Sequence, residues 1–152
     1  MDYNDSKVKL AGEVVQSFLT ISRVLTKFTS QNADSLGLTL QQMGILNLIN
    51  AFPEITLNEI TYKLNLPKST VSVNVDNLVI LELIERKTNK EDRREIHLTS
   101  TLKGKELSKK SSQNALSYRA MILALEKLPK ENVLVLIQTH KELLNHLREC
   151  KF

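Results

Sequence analysis

Residues 64–98 read LNLPKSTVSVNVDNLVILELIERKTNKEDRREIHL, and the fold turns on this stretch. A turn at Asn65-Leu66 leads into Pro67, a residue favoured at the first helical position because its missing N–H would have no partner there. A helix is expected from Pro67 to about Leu81. Val71, Val75 and Leu78 fall on one face for burial, which leaves Lys68, Ser69, Ser72, Val73, Asp76 and Asn77 pointing elsewhere. Two short runs follow, Leu83 to Thr88 and Arg94 to Leu98; in the second, Ile96 and Leu98 alternate with Glu95 and His97. This spacing predicts a β-hairpin with a long tip, Arg86-Lys87-Thr88-Asn89-Lys90-Glu91-Asp92-Arg93-Arg94.

Upstream, two helix starts are explicit. Thr39-Leu40-Gln41-Gln42 and Thr56-Leu57-Asn58-Glu59 both fit the capping box, and Leu38 with Met43 and Ile55 with Ile60 stand where a hydrophobic staple places its pair. They open short helices over about 39–51 and 56–64. Before them, Val8 to about Thr29 spaces its apolar residues near 3.6, as a long helix does. Downstream the helical pattern resumes at Thr99 and is expected to continue to about Leu128, with Gly104 as a weak point; Pro129 interrupts before a final helix. The fold class expected is mainly α with a small β-hairpin wing: a winged helix-turn-helix flanked by long terminal helices. The parts are residues 1–37, an N-terminal dimerisation helix; 38–99, the winged lobe; and 100–152, C-terminal dimerisation helices. The apolar faces of the terminal helices exceed what a small lobe can cover, so a homodimer is expected to bury them.

Bulk properties are those of a globular chain, 41% hydrophobic and 25% charged over 152 residues. The net charge is +4. From Tyr62 to Lys110 there are eleven Lys or Arg against seven Asp or Glu, a difference equal to that of the whole chain, so the excess cation is local. A small, polar, weakly basic helix edge suits the major groove of double-stranded DNA, and an adjacent cationic hairpin suits phosphates or the minor groove. No apolar run approaches the ~20 residues of a membrane span, and the acidic beginning is unlike a secretory leader, so a cytoplasmic protein is expected. No Gly-rich phosphate loop or nucleophile–base motif is present, so no enzyme and no cofactor is expected. The one cysteine, Cys150, excludes an intrachain disulfide and reads as an unreactive terminal thiol. His97, His140 and His146 read as surface residues rather than metal ligands, because their spacing does not converge.

An ordered set of motifs resembles the MarR family of bacterial transcriptional regulators. It comprises Leu38-Thr39 with Gln42 and Leu46, Leu57-x-Glu59-Ile60-x-x-x-Leu64, Ser69-Thr70-Val71-Ser72 and Asp76-x-Leu78. It continues with Leu83-Ile84-Glu85-Arg86, Glu91-Asp92-Arg93-Arg94, and Leu98-Thr99 with Gly104. The resemblance implies a homodimer that binds a pseudo-palindromic operator, usually as a repressor and often released by a small-molecule effector or oxidant. Carried over by position, Lys68, Ser69, Thr70 and Ser72 would lie at the leading end of the recognition helix. Asp92 and Arg94 match the wing motif, in which the carboxylate orients an arginine toward the minor groove. Arg86, Lys87, Lys90 and Arg93 would supply the surrounding positive field. Val73 and Asn77 stand where the family often has arginine, so the helix would lean on Asn77, Ser72 and methyl contacts from Val73. Asn74 replaces a larger apolar residue. Glu82 replaces a glycine before the first wing strand, so the turn there is expected not to need a positive φ. The competing reading is a winged-helix protein-interaction module without sequence-specific DNA binding.

Overall fold

The computed structural model describes residues 5–88 and 96–151. The chain forms two compact units, Met1–Leu116 and Ser117–Phe152. In order, the elements are α1 (Ser6–Ser35), α2 (Leu40–Ala51), β1 (Ile55–Thr56), α3 (Leu57–Leu64), α4 (Lys68–Ile80), β2 (Ile84–Thr88), β3 (Ile96–Ser100), α5 (Leu102–Gln113), α6 (Leu116–Leu125) and α7 (Lys130–Glu149). The mainly helical class with a β-hairpin wing is as expected.

Both capping boxes form. The Thr39 hydroxyl accepts from the Gln42 N–H while Gln42 accepts from the Thr39 N–H, and Thr56 and Glu59 repeat the exchange. Each box satisfies N–H groups that a helix start otherwise leaves without partners. The staple residues Leu38, Met43, Ile55 and Ile60 are all buried. Ile55 and Thr56 also serve as β1, which pairs antiparallel with β3 so that the small sheet runs β1-β3-β2. The third strand has no signature of its own in the sequence, since two residues carry no periodicity.

The core of the first unit is built by Ile45, Leu46 and Ile49 of α2, Ile60 of α3, Val71, Val75 and Leu78 of α4, Ile84 of β2 and Leu98 of β3. Each such side chain contributes about 1.5–3 kcal/mol on burial. Together they fix α4 against α2 and α3 and hold the hairpin at its C-terminal end. The β2–β3 register pairs Ile84 with Ser100, Arg86 with Leu98 and Thr88 with Ile96.

Several expectations are corrected. Pro67 is the N-cap of α4 rather than its first turn, one residue earlier than its steric preference suggests. The expected helix from Thr99 to Leu128 is two helices, parted at Asn114-Ala115. Gly104 is no weak point: it is buried, and a Cβ there would stand 2.9 Å from the Leu83 carbonyl carbon and closer still to its oxygen. Glu82 adopts φ 59°, so the turn between α4 and β2 does require the left-handed region even without glycine. The second hairpin strand runs past its expected end at Leu98 to Ser100, which pairs with Ile84, while its expected start at Arg94 lies outside the described residues.

In α1 only Asn32 and Ala33 are buried. Leu10, Val15, Leu19, Ile21 and Val24 are exposed. In the second unit, Ile122 and Leu123 of α6 and Leu134, Val135 and Leu147 of α7 are exposed likewise.

Candidate nucleic-acid interface

The candidate surface begins with α4. Its inner face is settled by Val71, Val75 and Leu78, and by Asn74, which is buried although polar. The Asn74 amide donates to the Thr70 carbonyl at 2.8 Å and to the Gln41 side chain at 3.4 Å, so the polar group in an apolar position is satisfied inside. With those four residues inward, Lys68, Ser69, Val73, Asp76 and Asn77 are exposed on the other side, and Thr70 and Ser72 sit at the margin, half-buried. Pro67 makes no side-chain cap bond, so it leaves the first-turn N–H groups of α4 uncapped, the kind of donors that phosphate oxygens can meet.

Among the described residues, a side-chain ion pair ties the hairpin to this face. Arg86 on β2 places Nη2 2.5 Å from Asp76 Oδ1 on α4, tying strand to helix across the turn. Both side chains remain about half exposed, so the pair orients the guanidinium more than it stabilises the fold. Nothing local in the sequence announces it: the partners are ten residues apart and belong to different elements.

Lys87 goes elsewhere. Successive residues of a strand point to opposite faces, so Lys87, opposite His97, stands on the other side of the ribbon from Arg86, opposite Leu98. There its ammonium lies 3.0 Å from the Glu85 carboxylate, which also accepts from the Thr99 hydroxyl at 3.2 Å. These bonds, led by that from Lys87, hold the Glu85 carboxyl below its ordinary range. His97 contacts the Glu54 carbonyl through Nδ1. The structure therefore gathers Lys68, Ser69, Thr70, Ser72, Val73, Asn77 and Arg86 on or beside one helix face and sets Lys87 apart. The remaining sequence candidates, Lys90, Asp92, Arg93 and Arg94, lie outside the described residues.

Other chemistries find no footing among the described residues. No three His, Cys, Asp or Glu side chains converge as a metal site would need. Cys150 is exposed, its Sγ 3.4 Å from the His146 carbonyl. No helix is long and apolar enough to cross a membrane.

Comparison with known proteins gives this geometry its context. Residues 36–95 match the sequence model of the MarR family. Over 95% of this chain and 98% of the other, the structure is similar to the multiple antibiotic-resistance repressor (MarR) from Listeria monocytogenes 4b F2365, at 32% identity and a TM-score of 0.68. A putative MarR family transcriptional regulator from Listeria monocytogenes, complexed with a 26mer DNA, shares 21% identity over 89% of both chains with a TM-score of 0.72. A MepR variant from S. aureus bound to an oligodeoxyribonucleotide shares 22% identity over 88% of this chain and 97% of its own, with a TM-score of 0.60. The last two likenesses bear on the fold alone. No protein of curated function matches the sequence.

Proposed function

The chain belongs to the MarR family of DNA-binding transcription regulators, and we propose that it is a homodimeric repressor of a pseudo-palindromic operator. The observation that carries this reading is the exposed polar face of α4 beside a cationic hairpin, with Arg86 of the hairpin bound to Asp76 of the helix. In this reading α4 enters the major groove, with Lys68, Ser69, Thr70, Ser72, Val73 and Asn77 toward base edges and phosphates. Arg86, Lys90, Asp92, Arg93 and Arg94 form the wing that follows the backbone and the neighbouring minor groove, and Lys87, on the other side of the ribbon, adds only to the positive field.

Two-fold recognition needs two heads one helical turn of DNA apart, roughly 34 Å. The exposed apolar residues of α1 in the first unit, and separately those of α6 and α7, are surfaces we assign to a second copy; residues 1–37 and 100–152 would thus serve assembly and 38–99 reading. A small-molecule effector would release the dimer by binding better to a head spacing that no longer suits adjacent grooves. Only such a difference in affinity can move the equilibrium. The same reading places the protein in the cytoplasm, with its operator and no membrane partner.

A mobility-shift titration against genomic fragments tests it. With about eight phosphates neutralised per dimer, the log of affinity should fall against log salt with a slope of about −7. Arg94→Ala should weaken the shift without unfolding the protein. A protein that shows no sequence-selective shift at physiological salt would be the docking module instead.

A further inference from the structure

We infer that α4 reads A·T base pairs, with the Asn77 carboxamide pairing to an adenine and the Val73 side chain packing on a thymine methyl group. The inference rests on the DNA-binding reading above and adds base identity to it. In the major groove guanine presents two acceptors, which lysine or arginine meets best. Adenine presents one acceptor and one donor, which the planar amide of Asn or Gln matches, and thymine alone carries a methyl group.

The outward face of α4 is poor in what guanine needs. Lys68 is the one Lys or Arg of the helix and stands at its first residue, where the phosphate backbone is the nearer partner. Arg86 approaches the same face, but its guanidinium is engaged by Asp76 at 2.5 Å. That same bond takes Oδ1 of the Asp76 carboxylate and compensates its charge, which weakens it as an acceptor for cytosine. At the centre of the face, between Ser69 and Ile80, stand an amide and an apolar knob. Asn77 is exposed and makes no side-chain hydrogen bond among the described residues, in contrast to Asn74, whose amide is spent inside on Thr70 and Gln41.

Val73 is 59% exposed with Ser69, Ser72 and Asn77 around it; the other apolar residue exposed on this stripe, Ile80, stands at the last residue of the helix. Water gains nothing from a branched hydrocarbon there, whereas a thymine methyl would cover it. The two residues are four apart on one stripe, a rise of about 6 Å, close to two base-pair steps of about 3.4 Å each where the helix lies along the groove. Ser69 and Ser72 accept either kind of base and add no demand for G·C.

The test is selection of bound duplexes from a random pool with the full chain. It is followed by titration of the selected site in which single thymines are replaced by uracil, which deletes only the methyl group. The selected half-sites should carry A·T pairs at two positions under α4. One thymine-to-uracil change should weaken binding about fourfold per half-site in the parent. The same change should have no effect in Val73→Ala. Asn77→Ala should lose about tenfold and relax selection at one adenine position. Both side chains are exposed, and a parental circular dichroism spectrum confirms that each variant folds. Enrichment of G·C at the positions these variants relax, or a uracil penalty unchanged in Val73→Ala, overturns the inference and leaves the regulator reading standing. A pool with no enriched sequence, although the chain still retards DNA, overturns both.

Discussion

The same chemical change at two glycines should move stability in opposite directions. Gly44 lies inside α2 with nothing within 4 Å of where a Cβ would sit, so Gly44→Ala should recover the helix propensity that glycine forgoes, about 0.8–1 kcal/mol. Gly104 lies inside α5, where the same propensity gain is opposed by the Leu83 backbone. Its Cβ would meet the carbonyl carbon at 2.9 Å and the Leu46 side chain at 3.3 Å. Relief requires α5 to move away from the turn, an overpacking cost of about 1–3 kcal/mol. The same shift stretches the bonds that the Leu83 carbonyl accepts from the Thr101 N–H at 3.1 Å and hydroxyl at 3.2 Å, each worth about 1 kcal/mol. After the propensity gain is subtracted, Gly104→Ala should be less stable than the parent by about 2 kcal/mol. In a chain of this size that lowers Tm by about 6 °C. Urea unfolding at one fixed protein concentration measures both, because the stability of an associating chain depends on concentration. A Gly104→Ala protein as stable as the parent would refute the argument from close approach.

Three further outcomes follow from the structure. Glu82→Gly relieves a side chain held at φ 59° and should raise stability by about 0.5–1 kcal/mol, with Glu82→Ala giving no such gain, as urea midpoints would show. Asp76→Asn frees Arg86 for phosphate; it should change stability by less than about 1 kcal/mol and steepen the salt dependence of DNA binding by about one phosphate. An unaltered slope would mean that Arg86 stays away from the backbone. Glu59 is held below the ordinary carboxylate range, first by the Thr56 N–H and then by its hydroxyl. The unfolded chain therefore binds that proton more readily, so this contribution is present above the ordinary carboxylate pKa and lost as pH falls through the lowered one. Glu59→Gln keeps the cap without the charge, and its urea midpoint should fall less steeply than the parent's below about pH 5.

What could be read in advance was local. Thr39 and Thr56 announced their helices because a capping box spans four residues and needs no tertiary partner. Val71, Val75 and Leu78 announced the buried face of α4 because helical periodicity is a property of neighbours. Features that depend on distant segments were hidden. Ile55 gave its staple but not its strand, since its partner Leu98 lies far along the chain. The break at Asn114-Ala115 has no proline or glycine to mark it. Gly104 looked like a propensity defect because only the packed structure shows the carbonyl that excludes a Cβ. On the candidate surface, the residues of α4 were readable by face, whereas the Arg86–Asp76 pair and the divergence of Lys87 needed the strand register.

The turn Leu81–Leu83 is crowded with acceptors, and α5 and the residues just before it answer each of them. Lys103 donates to the Leu81 carbonyl at 2.8 Å, the Thr101 hydroxyl to that of Glu82 at 2.8 Å, and the Thr101 N–H to that of Leu83. The ammonium also meets the negative end of the α4 dipole. These bonds act as a rivet: α4, the first wing strand and α5 must travel as one lever. A signal that retunes DNA binding through this joint would therefore tilt the whole head, and an α4 that swivels alone would have to shear these hydrogen bonds and open the seat of Gly104.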